Sequence, residues 1–86
     1  MRREPDFFGD QDLVLIYVAR RLKEALAVER VLDGSALDYT VVPTPYTSGF
    51  LLRTERVGAF FYVTLATEQS ARALVQEHGF KPFKNS

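Results

Sequence analysis

The chain predicts an α+β domain of β-α-β-β-α-β order, an antiparallel sheet with two helices on one face. Three observations carry this. Residues 13–18 and 59–65 are apolar runs rich in β-branched and aromatic side chains. A stretch with the 3.6-residue apolar spacing of a helix follows each run. The length, 86 residues, suits one domain and leaves no room for a second.

Residues 1–11 are polar with an inserted Phe7-Phe8 pair and read as an arm ahead of a single domain over 12–84. The run at 13–18 is unbroken, the pattern of a strand buried on both faces and therefore central. Residues 20–33 read as a helix, with Gly34 at the usual stop position. At about 100° per residue, Val28, Leu32, Ala25, Leu22 and Leu26 share an arc of roughly 160°, so this helix packs on a sheet. A second strand covers 37–42. Pro43 and Pro45 then stop its ladder and Gly49 permits a turn, so 43–58 reads as a long polar loop. Residues 50–53 are either part of that loop or a short strand pairing with 59–62 in a longer hairpin. The third strand covers 59–65. Thr67 is placed to cap the second helix, Glu68 suits its first turn, and Ala71, Leu74, Val75 and His78 share its inner face up to Gly79. Residues 80–83 read as a short edge strand, because Pro82 cannot donate to a central ladder. Both crossovers are of helical length, which makes this the ferredoxin-like plan.

Composition removes several classes of function. There is no Cys and one His, so disulfides and standard zinc frameworks are excluded; no metal or cofactor is expected. Eleven basic residues balance eleven acidic ones, which gives no broad positive field for nucleic acid. The longest apolar run is far too short to span a bilayer, and Glu4, Pro5 and Asp6 follow the opening Arg pair where a signal peptide would turn apolar. The expectation is a cytoplasmic protein without a membrane partner. A domain of this size buries only about 60–65% of its unfolded surface. With 47% apolar residues and no disulfide or metal to reinforce it, a homo-oligomer, dimer or trimer, is expected.

The third strand suggests where copies would meet. Phe60, Tyr62 and Thr64 point one way, and Phe61, Val63 and Leu65 the other. Two helices shield one side, so Phe60, Tyr62 and Thr64 are the expected oligomer face. Ligand-contacting candidates lie mainly on the long loop: Tyr46, Thr47, Ser48, Arg53 and Arg56. Arg20 and Arg21 open the first helix at the wrong end for its dipole, an arrangement that suits an anion; the plain alternative is a solvated pair balanced by Glu24. Glu29 falls inside the apolar arc, where it either snorkels to the helix edge, pairs with an Arg, or is shared at a subunit seam. His78 reads as a helix-end stabiliser. Asp6, Asp10 and Asp12 lack the glycine and closing Glu of a calcium loop. No Ser–His–acid, Cys–His or paired-acid set and no phosphate-cradling glycine loop is discernible, so no catalytic residue is named. The reading is a non-catalytic regulatory or interaction module whose 43–58 loop contacts a protein partner or a small anionic ligand. The alternative is an RNA- or nucleotide-binding module using Phe60 and Tyr62 with Arg53, Arg56 and Lys81.

Two family resemblances accompany these patterns. Leu13-Val14-Leu15-Ile16-Tyr17, Glu24-Ala25, Val28-Glu29-Arg30-Val31-Leu32 and Leu37-Asp38-Tyr39 resemble the opening of a prokaryotic signal-transducing domain family. Phe61-Tyr62-Val63 and the helix from Thr67 to Val75 resemble its closing strand and helix. That resemblance, over about 12–80, implies a ferredoxin-like fold akin to the trimeric PII nitrogen-signalling proteins. There, the loop after the second strand reaches effectors or partners. The stretch from Ala25 to Leu32, followed by Val41-Val42-Pro43-Thr44-Pro45 and Ser48-Gly49-Phe50-Leu51-Leu52, is similar to selenium/sulfur carrier-like domains. In those a Cys-Gly pair follows the proline-bearing loop; here Ser48-Gly49 stands in its place, without a thiolate to hold the chalcogen.

Overall fold

The computed structural model describes residues 1–48 and 54–84, without the side chains of 47, 48, 54 and 55. A 3-10 turn at Pro5–Phe8 leads into β1 (Leu13–Ala19), α1 (Leu22–Asp33), β2 (Thr40–Ser48), β3 (Thr54–Thr64), a second 3-10 turn at Leu65–Thr67, and α2 (Glu68–Glu77). The result is a mixed α+β arrangement of three antiparallel strands in the order β1-β3-β2 with two helices.

Strand register sorts the side chains. Val14 opposes Val63, Tyr17 opposes Phe61 and Ala19 opposes Ala59 on one side; Leu15 opposes Tyr62 and Val18 opposes Phe60 on the other. A bulge between Leu15 and Tyr17 leaves Ile16 as the extra residue, and it is fully buried. Ala25, Val28 and Leu32 of α1 join Ala71 and Val75 of α2 in one cluster with Phe61 and Val63, so both helices cover that side of β3.

Phe61 lies at the middle of this core with no exposed surface. Tyr17 meets its ring edge-on at 6.3 Å, and Tyr39 stacks on it at 6.1 Å. The Tyr17 hydroxyl donates to Glu24 Oε2 (3.0 Å) in the first turn of α1, and the Tyr39 hydroxyl to Asp33 Oδ1 (2.9 Å) at its last residue. One helix is thus tied at both ends to rings that pack on the same phenylalanine.

Several expectations change. The long loop at 43–58 is instead a β-ribbon, with β2 running through both prolines to Ser48 opposite Thr54. The reason lies in strand alternation. Tyr39 directs its N–H and C=O outward, to the Met1 carbonyl and the Arg3 N–H. Positions 41, 43 and 45 share that outward direction, so Pro43 and Pro45 remove no bond to β3. The stretch from Thr44 to Ser48 carries the ribbon roughly 17 Å beyond the end of β1, at about 3.4 Å per residue. The expected short strand at 50–53 lies outside the described residues.

β1 is not central; it is an edge, and β3 is the middle strand. The outer side of β1 is covered by the tail, which forms no strand and offers one backbone bond, from the Phe83 N–H to the Ile16 carbonyl (2.7 Å). Arg72 Nη2 takes the Leu15 carbonyl next to it (3.2 Å). The first helix starts at Leu22 because Arg21 is extended, and Glu24 Oε1 reaches back to accept the Arg20 N–H (3.1 Å). Leu22 and Leu26 are exposed, since the sheet and α2 reach only the narrower arc of Ala25, Val28 and Leu32. The second strand starts at Thr40 because Ser35 holds the preceding turn: its hydroxyl donates to the Leu32 carbonyl (2.6 Å) and accepts the Leu37 N–H (3.1 Å). Thr67 does not cap α2; its hydroxyl donates to the Thr64 carbonyl (3.2 Å) instead. Among the described residues no helix is long and apolar enough to cross a membrane.

The arm is docked. Arg2 bridges in parallel to Tyr39, Arg3 Nε donates to Asp38 Oδ1 (3.0 Å), and the Arg3 guanidinium sits 4.4 Å over the Phe7 ring. Phe8 is buried although it lies outside the helix-side cluster. The arm leaves the outer edge of β2 and enters β1 beside the end of β3, where the Leu65 N–H donates to the Asp12 carbonyl (3.0 Å), and so closes the foot of the sheet.

Two predictions follow from the three-ring core. Phe61→Ala removes the ring both tyrosines lean on and costs about 3–5 kcal/mol, read from the midpoint of urea unfolding. Burial, then the hydrogen bond to Glu24, pushes the Tyr17 hydroxyl up from 10.0 to about 12, and burial with the bond to Asp33 raises Tyr39 likewise. Both folded-state values exceed the unfolded ones, so this stability is intact below pH 10 and is lost as pH climbs toward 12. The unfolding midpoint should fall across that window, and the Tyr17→Phe/Tyr39→Phe double variant should flatten the fall.

Candidate functional site

The helix-free side of the sheet has an ordered composition from foot to head. At the foot, Thr40 lies opposite Tyr62 in a row with Leu15; it is buried, and its hydroxyl has no hydrogen-bond partner among the described residues. The next row is Val18, Phe60 and Val42. Beyond it comes Gly58, opposite Thr44. A Cβ built on Gly58 would stand 3.2 Å from Cε1 of both Phe60 and Tyr46, so two rings lie over this glycine and substitution would push them away. Tyr46 opposes Arg56, and the Arg20 guanidinium sits 5.7 Å over the Tyr46 ring. The stripe therefore passes from aliphatic through aromatic to cationic.

Of the residues singled out from sequence, Arg20, Tyr46 and Arg56 come together at the head, joined by Phe60 through Gly58. Arg21 is at the same end, beside the start of α1. There Arg20, Arg21, Leu22, Pro43, Val57 and Gly58 line part of a cavity of 190 Å³ between the start of α1 and the ribbon. Glu29 is not part of this group: it pairs with Arg2 at 2.8 Å, its side chain 19% exposed. Of the alternatives open for Glu29, the arm supplies the Arg partner. Thr47 and Ser48 lie on the β2 ribbon with side chains outside the description, and Arg53 lies outside the described residues. Phe60, Tyr62 and Thr64 all sit half-buried on the helix-free side; the Thr64 hydroxyl is 3.0 Å from that of Thr67. The larger apolar exposures are on the flank, at Leu22 (76%) and Val57 (63%). His78 ends α2 with Nδ1 3.0 Å from the Leu74 carbonyl oxygen.

Two features escaped the sequence reading. Arg72 is a half-buried clamp: Nε donates to Glu68 Oε2 (2.9 Å), Nη2 to the Leu15 carbonyl and Nη1 to the Phe83 carbonyl. The Glu68–Arg72 spacing of four was visible, but its two carbonyl partners are 57 and 11 residues away. The tail it holds places Lys81 and Lys84 with Arg20, Tyr17, Glu24 and Phe83 around a second cavity of 360 Å³. Chemically, the head offers guanidinium, ammonium and aromatic groups, which bind and stack. Among the described residues there is no group of three or more His, Cys, Asp or Glu side chains able to hold a metal.

Comparison of the chain with models of protein families, with curated proteins and with solved structures finds no match.

Replacing Arg72 with Ala should free the tail. Tryptic cleavage after Lys84 should accelerate, and global stability should drop by about 1–3 kcal/mol as the half-buried Leu15 carbonyl loses its donor.

Proposed function

We propose that this chain is a non-catalytic interaction module that associates with a second copy through the helix-free side of its sheet. The observation that carries the proposal is the two-sided central strand. Phe61 and Val63 are sealed beneath both helices, whereas Phe60 and Tyr62, with Leu15, Val18 and Val42, form an apolar field on the side that no helix covers. Along the three-stranded part of the sheet both edges are poor docking strands: prolines and the arm occupy that of β2, and the tail that of β1. The face is left.

The finer fold reading belongs to the same proposal. In a ferredoxin-like sheet a fourth strand would lie beside β1, and the tail holds that position with its single bond to Ile16. The order β1-β3-β2 with both helices on one side supports the likeness to the prokaryotic signal-transducing domain family. Single-stranded RNA stacking on Phe60 and Tyr62 is the competing occupant of the face, and the equal count of acidic and basic residues weighs against it.

Light scattering across a dilution series should find a dimer that dissociates at low concentration. Tyr62→Lys should abolish it with the circular dichroism spectrum unchanged, while Leu22→Glu on the flank of α1 should leave it intact. A monomer at every concentration, or dissociation by Leu22→Glu alone, would exclude the sheet face as the contact.

A further inference from the structure

β3 is longer than the strand that flanks it on one side. Its pairing with β1 ends where Ala59 meets Ala19, while its pairing with β2 continues to Thr54 opposite Ser48. The direction of its backbone groups is set by the Leu65 N–H, which bonds the Asp12 carbonyl on the β1 side. Alternation aims the N–H and C=O groups of residues 63, 61, 59, 57 and 55 the same way. The next partner in line for Val57 would be Arg21. Arg21 is extended, but its carbonyl accepts the Ala25 N–H as the first bond of α1, and no backbone bond joins it to Val57. The backbone groups of Val57 and Glu55 therefore make an open strand edge along the line of β1, past its end.

The two sides of this edge differ. On the helix side lies the cavity of 190 Å³ between the start of α1 and the ribbon, bordered by Leu22 and Val57. These are the two most exposed large apolar side chains among the described residues, at 76% and 63%. The cavity falls below the roughly 300 Å³ at which small-molecule sites begin, so it suits an apolar side chain rather than a whole ligand. On the helix-free side the same stretch of β3 carries Arg56, opposite Tyr46, and the Arg20 guanidinium sits over the Tyr46 ring. One side of the edge is apolar and the other cationic.

A second copy of this chain is a poor occupant. Twofold antiparallel pairing along the edge must set residue 55, 56 or 57 opposite itself. Centred on 56 it opposes Arg56 to Arg56, and centred on 55 it opposes Glu55 to Glu55; like charges directly opposite destabilise a sheet. Centred on 57 it engages Val57 alone, because Ala59 is already paired with Ala19.

We infer that this edge takes, as an added strand, an extended segment of another protein in which apolar and acidic residues alternate. The segment bonds the outward N–H and C=O groups of Val57 and Glu55. Its apolar residues cover Leu22, Val57 and the cavity, and its acidic residues lie on the side of Arg56 and Arg20. Main-chain bonds supply affinity in this mode, and the alternating side chains supply specificity.

A dye-labelled octapeptide of alternating valine and aspartate, titrated into the full chain and followed by fluorescence anisotropy, provides the test. Saturable binding is expected, with slowed amide hydrogen exchange at Val57. The valine–lysine counterpart should bind at least about tenfold more weakly. A valine–aspartate peptide N-methylated on alternate residues keeps its charge, loses the donors that face β3, and should not bind. Arg56→Glu should reverse the preference between the aspartate and lysine peptides. Val57→Pro removes an edge donor, as Pro43 and Pro45 do on the opposite edge, without touching a bond to β2; it should abolish binding with the circular dichroism spectrum unchanged. Failure to saturate, equal binding of the N-methylated peptide, or unchanged exchange at Val57 overturns the inference. So does loss of self-association in the Val57→Pro variant, since the edge would then serve a second copy. The sheet-face dimer is tested separately: Tyr62→Lys should leave the peptide isotherm as it was.

Discussion

The contact on which the rest of this molecule depends is Phe61 between Tyr17 and Tyr39. A small domain has little apolar interior to spare, and here a single central-strand ring gathers both flanking strands and the whole length of α1. The tyrosines supply area through their rings and direction through their hydroxyls. Because Glu24 and Asp33 stand at opposite ends of α1, the helix cannot slide or rotate on the sheet without breaking a hydrogen bond in a place largely screened from water. Glu24 also accepts the Arg20 N–H, so the same carboxylate sets where the helix starts and how the chain leaves β1.

From that core the asymmetry of the sheet follows. Once Phe61 and Val63 face the helices, strand alternation sends Phe60 and Tyr62 to the other side, where they are half-buried and neither helix covers them. The chain manages its edges instead. Prolines at 43 and 45 fall on outward-facing positions of β2, the arm pairs beside Tyr39, and the clamped tail lies along β1. These are devices that stop strands from adding at the sides of a small sheet. The proposed dimer uses the open face instead.

Charge is distributed with comparable order. The exposed acidic residues Glu4, Asp6, Asp10 and Asp12 sit on the arm at the foot, while Arg20, Arg21, Lys81 and Lys84 collect at the head. Part of this head was legible in the sequence: two arginines ahead of a helix are conspicuous, and Tyr46 and Arg56 stood out as polar or amphipathic groups between strands. Their meeting was not legible. It needs the ribbon register that sets Tyr46 opposite Arg56 and swings its ring under Arg20. The lysines needed more still, because nothing local to residues 80–84 says that Arg72 will seize the Phe83 carbonyl.

Sequence alone determined three strands and two helices in their order, though neither the extent of the second and third strands nor the fate of residues 80–83. The apolar runs at 13–18 and 59–65, the helical spacing after each, and the alternation of Phe60 with Phe61 are local patterns, and local patterns follow from backbone geometry. Tertiary structure decided what local patterns cannot encode. Pro43 and Pro45 looked like a stop until the outward direction of their missing N–H groups was set by pairing with β3. Glu29 looked misplaced in an apolar arc until Arg2 arrived from the arm. The unbroken run of β1 looked central, yet its second side is covered by a tail and an arginine. In each case the deciding partner is remote along the chain, and only closure of the fold brings it within hydrogen-bonding distance.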